Sequence, residues 1–138
     1  MPGDAPTKKG PPPVIVATGV DLVELSRVEE LLSAQRDRFL ARVYTPAEID
    51  YCDRQARPTE SYAARFAAKE AVMKCLGTGW ADGVAFTDVE VVRVDGGAVG
   101  IRVTGRSAEV AAERGIARFH LSLSHTDQHA IAFAVAER

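Results

Sequence analysis

The sequence predicts an α+β fold in which an antiparallel sheet packs against a long central helix. The helix is indicated by a run of strong helix formers that begins at Pro58 and stops at Gly77. Strands are indicated by β-branched or alternating stretches before and after that run. A length of 138 residues, with 46% hydrophobic and 26% charged residues, is typical of one globular domain.

The composition argues against several classes of function. The formal net charge of -2 gives no bulk attraction to nucleic acid, and no apolar run has the length of a membrane span, so we expect a soluble protein. Cys52 and Cys75 fall in predicted helices, without a CxxC spacing or a secretory segment. This pattern indicates a reduced, cytoplasmic setting.

The N-terminal part of the chain predicts a tail, a strand and a helix. Residues 1–13 are rich in proline and lack apolar periodicity, so we expect a disordered or extended tail and a folded domain over residues 14–138. Residues 14–20 form a β-branched run, which predicts a strand buried on both faces. Apolar residues at helical spacing follow, from Leu22 to Leu32, and predict a first helix with Arg27 near its start.

Capping signals and periodicity predict the remaining elements. Thr45-Pro46-Ala47-Glu48 is a capping box with proline at the first helical position, so a helix should begin there and end near Arg54. Strand-like residues at 84–86 and 89–94, a turn at 95–97 and a returning strand at 98–104 predict a hairpin. A short helix over 105–114 and two strands, 117–124 and 129–136, complete the chain.

Two stripes of side chains run along the predicted central helix. One arc carries Lys69 among apolar side chains: Tyr62, Phe66, Met73 and Leu76. The second stripe combines small residues with two charges, which leaves room for another body to approach and meet both: Ala63, Ala67, Glu70 and Lys74. The alternative is an ordinary surface pair between Glu70 and Lys74, with Lys69 reaching past Phe66 to solvent, and helix geometry alone favours it.

Two further features have both a structural and a functional interpretation. Asp21 directly follows the first predicted strand, where a carboxylate can face a ligand. An aspartate at this position is also a common helix N-cap, which Asp21 taken alone favours. The glycines from Gly77 to Gly83 would let the backbone cradle a phosphate, although a plain turn is the default.

Three motifs stand in order along the chain: Gly19-Val20-Asp21 followed by Arg27, the segment from Phe66 to Gly77, and Leu121-Ser122-Leu123-Ser124-His125. In order and spacing they resemble the 4'-phosphopantetheinyl transferases, and in length the short, holo-[acyl-carrier-protein] synthase branch. The resemblance covers residues 14–137 and implies the fold of that family. It also implies magnesium-dependent transfer of phosphopantetheine from coenzyme A to a serine of an apo acyl carrier protein, with release of adenosine 3',5'-bisphosphate.

The resemblance implies roles for individual residues. Asp21 and Glu70 would bind Mg²⁺, whose ligands are typically one or two carboxylates, phosphates and waters. Glu70 is the first candidate to accept the serine proton, and Lys69 is its rival because burial lowers the pKa of a lysine. The implied contacts to coenzyme A are Arg65, Lys69, Lys74, Gly77, Ser124, His125 and Thr126. We interpret His120 and His129 as structural.

The implied partners are coenzyme A, an acidic carrier protein and further copies of the chain. The carrier contact falls in a locally basic region, where Arg27 matches best and is followed by Arg36, Arg38 and Phe39. Members of this branch are usually homotrimers with coenzyme A between neighbours, so we expect a trimer. The rival interpretations are another magnesium-dependent phosphoryl or nucleotidyl transferase and a carrier-binding module without chemistry. Whether the carrier is of the fatty-acid or polyketide type stays open.

Overall fold

The computed structural model describes residues 14–79, 81–94 and 97–138. The predicted N-terminal tail at residues 1–13 and most of the predicted turn at 95–97 lie outside the described residues, as does Trp80.

The described residues form five strands and five helices with one 3-10 turn, Phe86–Asp88, between them. In chain order the elements are β1 (Ile15–Glu24), α1 (Leu25–Ala34), α2 (Arg36–Val43), α3 (Pro46–Asp53), α4 (Pro58–Leu76), β2 (Val89–Arg93), β3 (Val99–Val103), α5 (Gly105–Glu113), β4 (Arg118–His125) and β5 (His129–Glu137). Strands and helices are segregated and not alternating, so the predicted α+β class is confirmed.

The strands form two antiparallel sheets. Sheet A has the order β1-β5-β4, and sheet B consists of β2 and β3. Helix α4 packs on β1 and β5. Every second residue of β5 is an alanine with no exposed surface, and these small side chains face the helix: Ala130, Ala132, Ala134 and Ala136.

A single glycine sets how closely α4 approaches sheet A. A Cβ atom added to Gly19 in β1 would lie 2.0 Å from the carbonyl oxygen of Ala71 in α4, which is far inside van der Waals contact. On the helix, Ala63, Ala67 and Ala71 are fully buried. The small-residue stripe predicted from the sequence is therefore the surface that receives another body, and that body is sheet A.

The predicted signals at helix ends are confirmed. The Thr45 N–H donates to Glu48 Oε1 at 2.9 Å and the Glu48 N–H donates to Thr45 Oγ1 at 3.3 Å, which completes the capping box of α3. Helix α4 begins at Pro58 and ends at Gly77, whose φ of 79° is a left-handed conformation that glycine adopts without strain. No helix among the described residues is long and apolar enough to cross a membrane.

One helix has no counterpart in the sequence analysis, and three predictions about local structure are wrong. Helix α2 was not predicted, because its sequence is rich in arginine and short of apolar periodicity. Residues 84–86 are not a strand. Asp21 does not cap a helix, since β1 continues to Glu24 and α1 begins at Leu25. Finally, β1 is not buried on both faces, because Val20 is 48% exposed on the face that points away from α4.

Candidate active site

Asp21 and Glu70 line the same pocket, between strand β1 and helix α4. The pocket has a volume of ≈ 510 Å³. We call it the carboxylate pocket, and its lining residues are Asp21, Leu22, Val23, Glu24, Arg27, Phe66, Glu70 and His129. The structure therefore brings together the two carboxylates and the first arginine that the sequence singled out, from β1, α4 and α1.

The contact at Gly19 explains why these carboxylates meet. Side chains alternate along a strand, so Asp21 lies on the same face of β1 as Gly19, towards α4. On the helix, Glu70 directly precedes Ala71, whose carbonyl oxygen lies against Gly19. The close approach of the two backbones thus places the Asp21 and Glu70 side chains on neighbouring parts of β1 and α4.

Lys74 lies beside Asp21 at this pocket. Its Nζ donates to the carbonyl oxygen of Val20 at 2.7 Å and lies 3.4 Å from Asp21 Oδ1. The Asp21 side chain is 18% exposed, and burial raises the pKa of its carboxyl while the Lys74 ammonium opposes that shift. An ionised Asp21 is therefore incompletely stabilised by this chain alone, and a further cation would stabilise it.

The chemistry of the donor set fits Mg²⁺. This ion takes oxygen ligands and is commonly held by one or two protein carboxylates, with substrate phosphates and water supplying the rest. Asp21 and Glu70 provide that number. Among the described residues there is no group of three or more His, Cys, Asp or Glu side chains able to hold a metal, so the part of the chain described contains no cage built from protein ligands alone.

A second pocket adjoins the first at Glu24 and His129, which line both. It has a volume of ≈ 620 Å³, and we call it the turn pocket because the β4–β5 turn forms one wall. Its lining residues are Glu24, Leu25, Ser26, Glu29, Arg57, Pro58, Thr59, Glu60, Asp127, Gln128 and His129. The two pockets lie side by side along the start of α1 and the side of α4, and we refer to them together as the cleft.

The predicted serine-histidine segment borders the turn pocket. His125 Nδ1 lies 3.9 Å from Oε1 of Glu60, one of the residues that line this pocket. The Thr126 hydroxyl oxygen accepts hydrogen bonds from the N–H groups of Gln128 at 3.1 Å and His129 at 3.0 Å, which fixes the turn. Ser124 is exposed at the end of β4. The structure therefore places this segment beside the turn pocket, although Ser124, His125 and Thr126 do not line it.

Lys69 does not face the cleft, contrary to the predicted catalytic and coenzyme A roles. Its side chain is fully buried, with Nζ 2.8 Å from Glu48 Oε1, 2.6 Å from the Val89 carbonyl oxygen and 3.1 Å from that of Phe86. Burial lowers the pKa of Lys69 and the Glu48 carboxylate opposes that shift. The predicted burial was right, but the ammonium is fully occupied by these partners.

Arg65 also lies outside the carboxylate pocket. It is 4% exposed and its guanidinium stacks over the Tyr51 ring, 4.1 Å from the centroid. Its Nε is buried and has no hydrogen-bond partner within the described part of the chain. Arg65 therefore does not share a pocket with Asp21 and Glu70, although the resemblance assigns all three to the active site.

Gly77 ends α4 at the start of the glycine-rich loop. Its N–H donates to the Met73 carbonyl oxygen at 3.1 Å and is therefore not available to a phosphate. Gly79 and Gly83 also have positive φ, and Asp82 adopts a left-handed φ of 63°. The described residues on either side of Trp80 adopt turn and bend conformations, and Trp80 itself lies outside the described residues.

The four residues predicted to contact a carrier protein differ in how freely their side chains could contact a partner. Arg27 lines the carboxylate pocket, whereas Arg36 pairs with Asp53 at 2.8 Å. Arg38 and Phe39 line a groove of ≈ 340 Å³ on α1 and α2, which we call the arginine groove: Leu31, Gln35, Arg38, Phe39 and Arg42. Phe39 is only 8% exposed, so it forms the floor of that groove and part of the core.

Sequence reasoning missed three residues of interest. Glu48 was assigned only to the capping box, and nothing in the sequence indicated Lys69 as its partner. His129 was interpreted as structural, yet it lines both pockets of the cleft. Arg42 lies one helical turn after Arg38 in the arginine groove, and that spacing was readable once α2 was known.

Comparison with known proteins identifies the family. The sequence model of the 4'-phosphopantetheinyl transferase superfamily matches residues 17–134. The chain belongs to this superfamily. A relative from Koribacter versatilis, named holo-[acyl-carrier-protein] synthase, is 48% identical over 124 residues, which are 90% of this chain and 99% of that protein.

Solved structures of this superfamily share the fold. Holo-[acyl-carrier-protein] synthase from Neisseria meningitidis superimposes with a TM-score of 0.82 at 32% identity, over 90% of this chain and 99% of that chain. The synthase from Helicobacter pylori, solved in complex with coenzyme A, gives a TM-score of 0.77 at 29% identity, over 88% and 100% of the two chains. The predicted family is confirmed.

The contact at Gly19 can be tested by Gly19→Ala. The added methyl group would collide with the Ala71 carbonyl and lie 3.1 Å from Lys74 Cβ, so α4 must move away from β1. We expect a loss of about 1–3 kcal/mol in the free energy of unfolding, measured by urea denaturation. The matched control is Gly100→Ala in β3, whose nearest neighbour would lie at an ordinary 3.4 Å. Equal stability of the two variants would contradict the proposed packing.

Proposed function

We propose that this chain transfers the 4'-phosphopantetheine group from coenzyme A to a serine of an apo acyl carrier protein. The observation that carries the proposal is the meeting of Asp21 and Glu70, from two separate family motifs, in one pocket. The relatives named holo-[acyl-carrier-protein] synthase, and the coenzyme A complex of the Helicobacter pylori synthase, support it. We assign the transferase domain to residues 14–138.

The reaction breaks a diphosphate, so the site must stabilise negative charge on phosphate oxygens. Asp21 and Glu70 would hold Mg²⁺, which when bound would neutralise that charge. Lys74, already 3.4 Å from Asp21 and 54% exposed, would bind a phosphate oxygen as a second cation. Lys69 and Gly77 have no part in this scheme, because the Lys69 ammonium and the Gly77 N–H are occupied within the fold.

The attacking serine belongs to the carrier, so the chain must accept its proton and not supply a nucleophile. Glu70 is the group proposed for this step, since it lines the carboxylate pocket and a carboxylate within reach of a hydroxyl acts as a general base. The new bond joins the serine oxygen to the phosphorus that carries the pantetheine arm. The bond to the bridging oxygen breaks, and adenosine 3',5'-bisphosphate leaves.

The turn pocket would receive the adenosine end of coenzyme A. It adjoins the carboxylate pocket, so one extended molecule reaches both. Arg57 lines this pocket but pairs with Glu60 at 3.3 Å, so the placement is supported by the family motif at Ser124, His125 and Thr126 on its border and not by the charge of its lining. Arg65 lies on Tyr51 outside this cleft, so we do not assign it a contact with coenzyme A bound in the same chain.

The carrier protein would dock on the surface of α1 and α2. Carrier proteins are acidic, and Arg27, Arg38 and Arg42 lie on the two helices next to the carboxylate pocket. Arg27 belongs to the pocket itself and would orient the carrier at the reaction centre. Arg36 contributes less, because Asp53 already pairs with it.

The proposed assembly is a homotrimer in the cytoplasm. The face of sheet A that points away from α4 carries contiguous apolar side chains, since Val20 is paired with Phe133 and Leu22 with Ile131. These side chains are 39–61% exposed in the single chain. An apolar patch of this kind is typical of a protein interface, and further copies of the chain would cover it.

The function is tested by incubating an apo acyl carrier protein with coenzyme A and Mg²⁺ and weighing the carrier by mass spectrometry. We expect the gain of one phosphopantetheine, abolished by EDTA. Asp21→Asn and Glu70→Gln should each lower the rate at least about 100-fold, because several kcal/mol of charge stabilisation is lost. Glu109→Gln, an exposed carboxylate on α5, is the matched control. An unmodified carrier with the wild-type chain would contradict the proposal.

The docking surface is tested by charge reversal at Arg27. Arg27→Glu should raise the KM for the carrier protein about 10-fold while leaving coenzyme A binding unchanged, because a favourable long-range attraction becomes a repulsion. Steady-state kinetics with each substrate varied in turn measures both constants. The control is Arg118→Glu, because Arg118 is exposed at the start of β4 and lines neither the carboxylate pocket nor the arginine groove. Equal losses for carrier and coenzyme A would count against a docking role.

The trimer is tested by sedimentation equilibrium of the wild-type chain and of Phe133→Asp. We expect the wild type to sediment as three chains and the variant to dissociate, because a buried carboxylate without a partner is strongly unfavourable at an apolar interface. Val94→Asp, an equally exposed apolar residue outside this patch, should remain trimeric. If the wild-type chain sediments as a monomer, the proposed homotrimer is wrong.

A further inference from the structure

Lys69 and Glu48 form a fully buried ion pair in which every described polar atom has a partner. The ammonium has three acceptors: Glu48 Oε1 at 2.8 Å, the Val89 carbonyl at 2.6 Å and the Phe86 carbonyl at 3.1 Å. The carboxylate also accepts the N–H of Val91 at 2.7 Å through Oε2. Neither side chain has exposed surface. The pair therefore joins α3, α4 and the start of sheet B at one point.

Stability alone is a weak explanation for such a pair. Removing two charges from water costs about as much as their attraction returns, so apolar residues of similar volume are often equally stable. An ion pair with fixed partners does provide a defined geometry. The ammonium of Lys69 can contact all three of its acceptors from one position only. A fixed position of the ammonium matters most where it also fixes a neighbouring functional side chain.

The residue next to Lys69 on the helix is Glu70, in the carboxylate pocket. Successive residues on a helix are separated by a fixed rotation, so holding the Lys69 side chain on one side of α4 also sets the direction of Glu70. With a carboxylate about 6 Å from the helix axis, a rotation of about 20° moves it about 2 Å. Misplacement on that scale is enough to lower catalytic rates by about 10²-fold.

The two sides of α4 are held by different contacts. On the side of sheet A, Gly19 lies against Ala71 and Lys74 donates to the Val20 carbonyl. On the side of sheet B, Lys69 pairs with Glu48 and the Phe66 ring stacks on Phe86, while nearer the start of the helix the Tyr62 hydroxyl donates to Asp53 at 2.7 Å. A contact with an alanine limits how closely the helix approaches but does not prevent its rotation. Both sides carry a polar attachment, and the one formed by Lys69 is fully buried whereas the Lys74 side chain is 54% exposed, so the buried attachment restricts the rotation of the helix more strongly.

We propose that Lys69 and Glu48 are positioning residues for the transfer reaction: their buried pair fixes the rotation of α4 and thereby directs the Glu70 carboxylate towards Asp21. The inference rests on the proposed function, because it concerns the same two carboxylates. Neither Lys69 nor Glu48 touches substrate. Their effect reaches the reaction through the orientation of Glu70.

The experiment compares the wild-type chain with Lys69→Met/Glu48→Gln and with Val110→Ala. The double variant removes both charges together, keeps a carbonyl oxygen for the helix cap and leaves no unpaired buried ion. Val110 on α5 is 3% exposed, and its truncation should lower stability without removing a charge or a hydrogen-bond partner of Lys69. The measurements are thermal unfolding, Mg²⁺ affinity by calorimetry in the presence of adenosine 3',5'-bisphosphate, and kcat and KM from the transfer assay at a temperature where all chains are folded.

We expect the double variant to bind Mg²⁺ about 10-fold more weakly and to lose about 10-fold to 100-fold in kcat, with the KM for carrier protein within about twofold of wild type. Val110→Ala should match the wild type in all three constants even where its melting temperature is lower. A double variant with wild-type Mg²⁺ affinity and kcat, whatever its melting temperature, would overturn the inference.

If the double variant does not fold, Glu48→Asp decides. It keeps both charges and both carbonyl acceptors of Lys69 but draws the carboxylate back by one methylene, and it should show the same shifts at about threefold; wild-type constants there would equally overturn the inference. Failure of the proposed function has a different signature, because the wild-type chain would then leave the carrier unmodified. The Mg²⁺ affinities would still report whether the buried pair orients Glu70.

Discussion

The close approach of helix α4 to strand β1 is the constraint on which the rest of the structure depends. It is possible because Gly19 has no side chain where the Ala71 carbonyl lies, and because alanines line the facing surfaces of α4 and β5. Two backbones that touch in this way bring short side chains from strand and helix into one pocket. A carboxylate on each then lines the same pocket, with no loop required to span the distance between them.

Adjacent residues of one motif perform different tasks because a helix turns between them. Lys69 and Glu70 stand side by side in the sequence, yet Glu70 lines the cleft while Lys69 is enclosed by Glu48 and two backbone carbonyls. The sequence placed Lys69 correctly within the apolar arc of α4. What it did not show is that the ammonium would remain in the interior, since that depends on an acceptor in α3, distant along the chain.

The parts of the fold that could be predicted are those with local causes. The capping box at Thr45 and Glu48, the helix end at Gly77 and the alternation in β5 depend on residues within one or two turns of each other. Helix α2 has no such signal, and tertiary packing of Phe39 against Tyr44 and Phe66 holds it in place. At the site, the resemblance to the family singled out Asp21 and Glu70, which residue types alone did not, and the availability of Arg36, Arg65 and Lys69 depended on long-range partners.

The incomplete donor set of the cleft has a consequence for the order of events. Two carboxylates at a half-buried position leave most of an octahedral ion to water and phosphate, so this chain alone would hold Mg²⁺ weakly. Lys74 already stabilises part of the Asp21 charge, which would weaken the binding of a metal further. Substrate phosphates would therefore complete the ligand set, and firm binding of metal and of coenzyme A would be mutually dependent. Such coupling confines the strongest electrostatic stabilisation to a cleft that already contains the diphosphate to be broken.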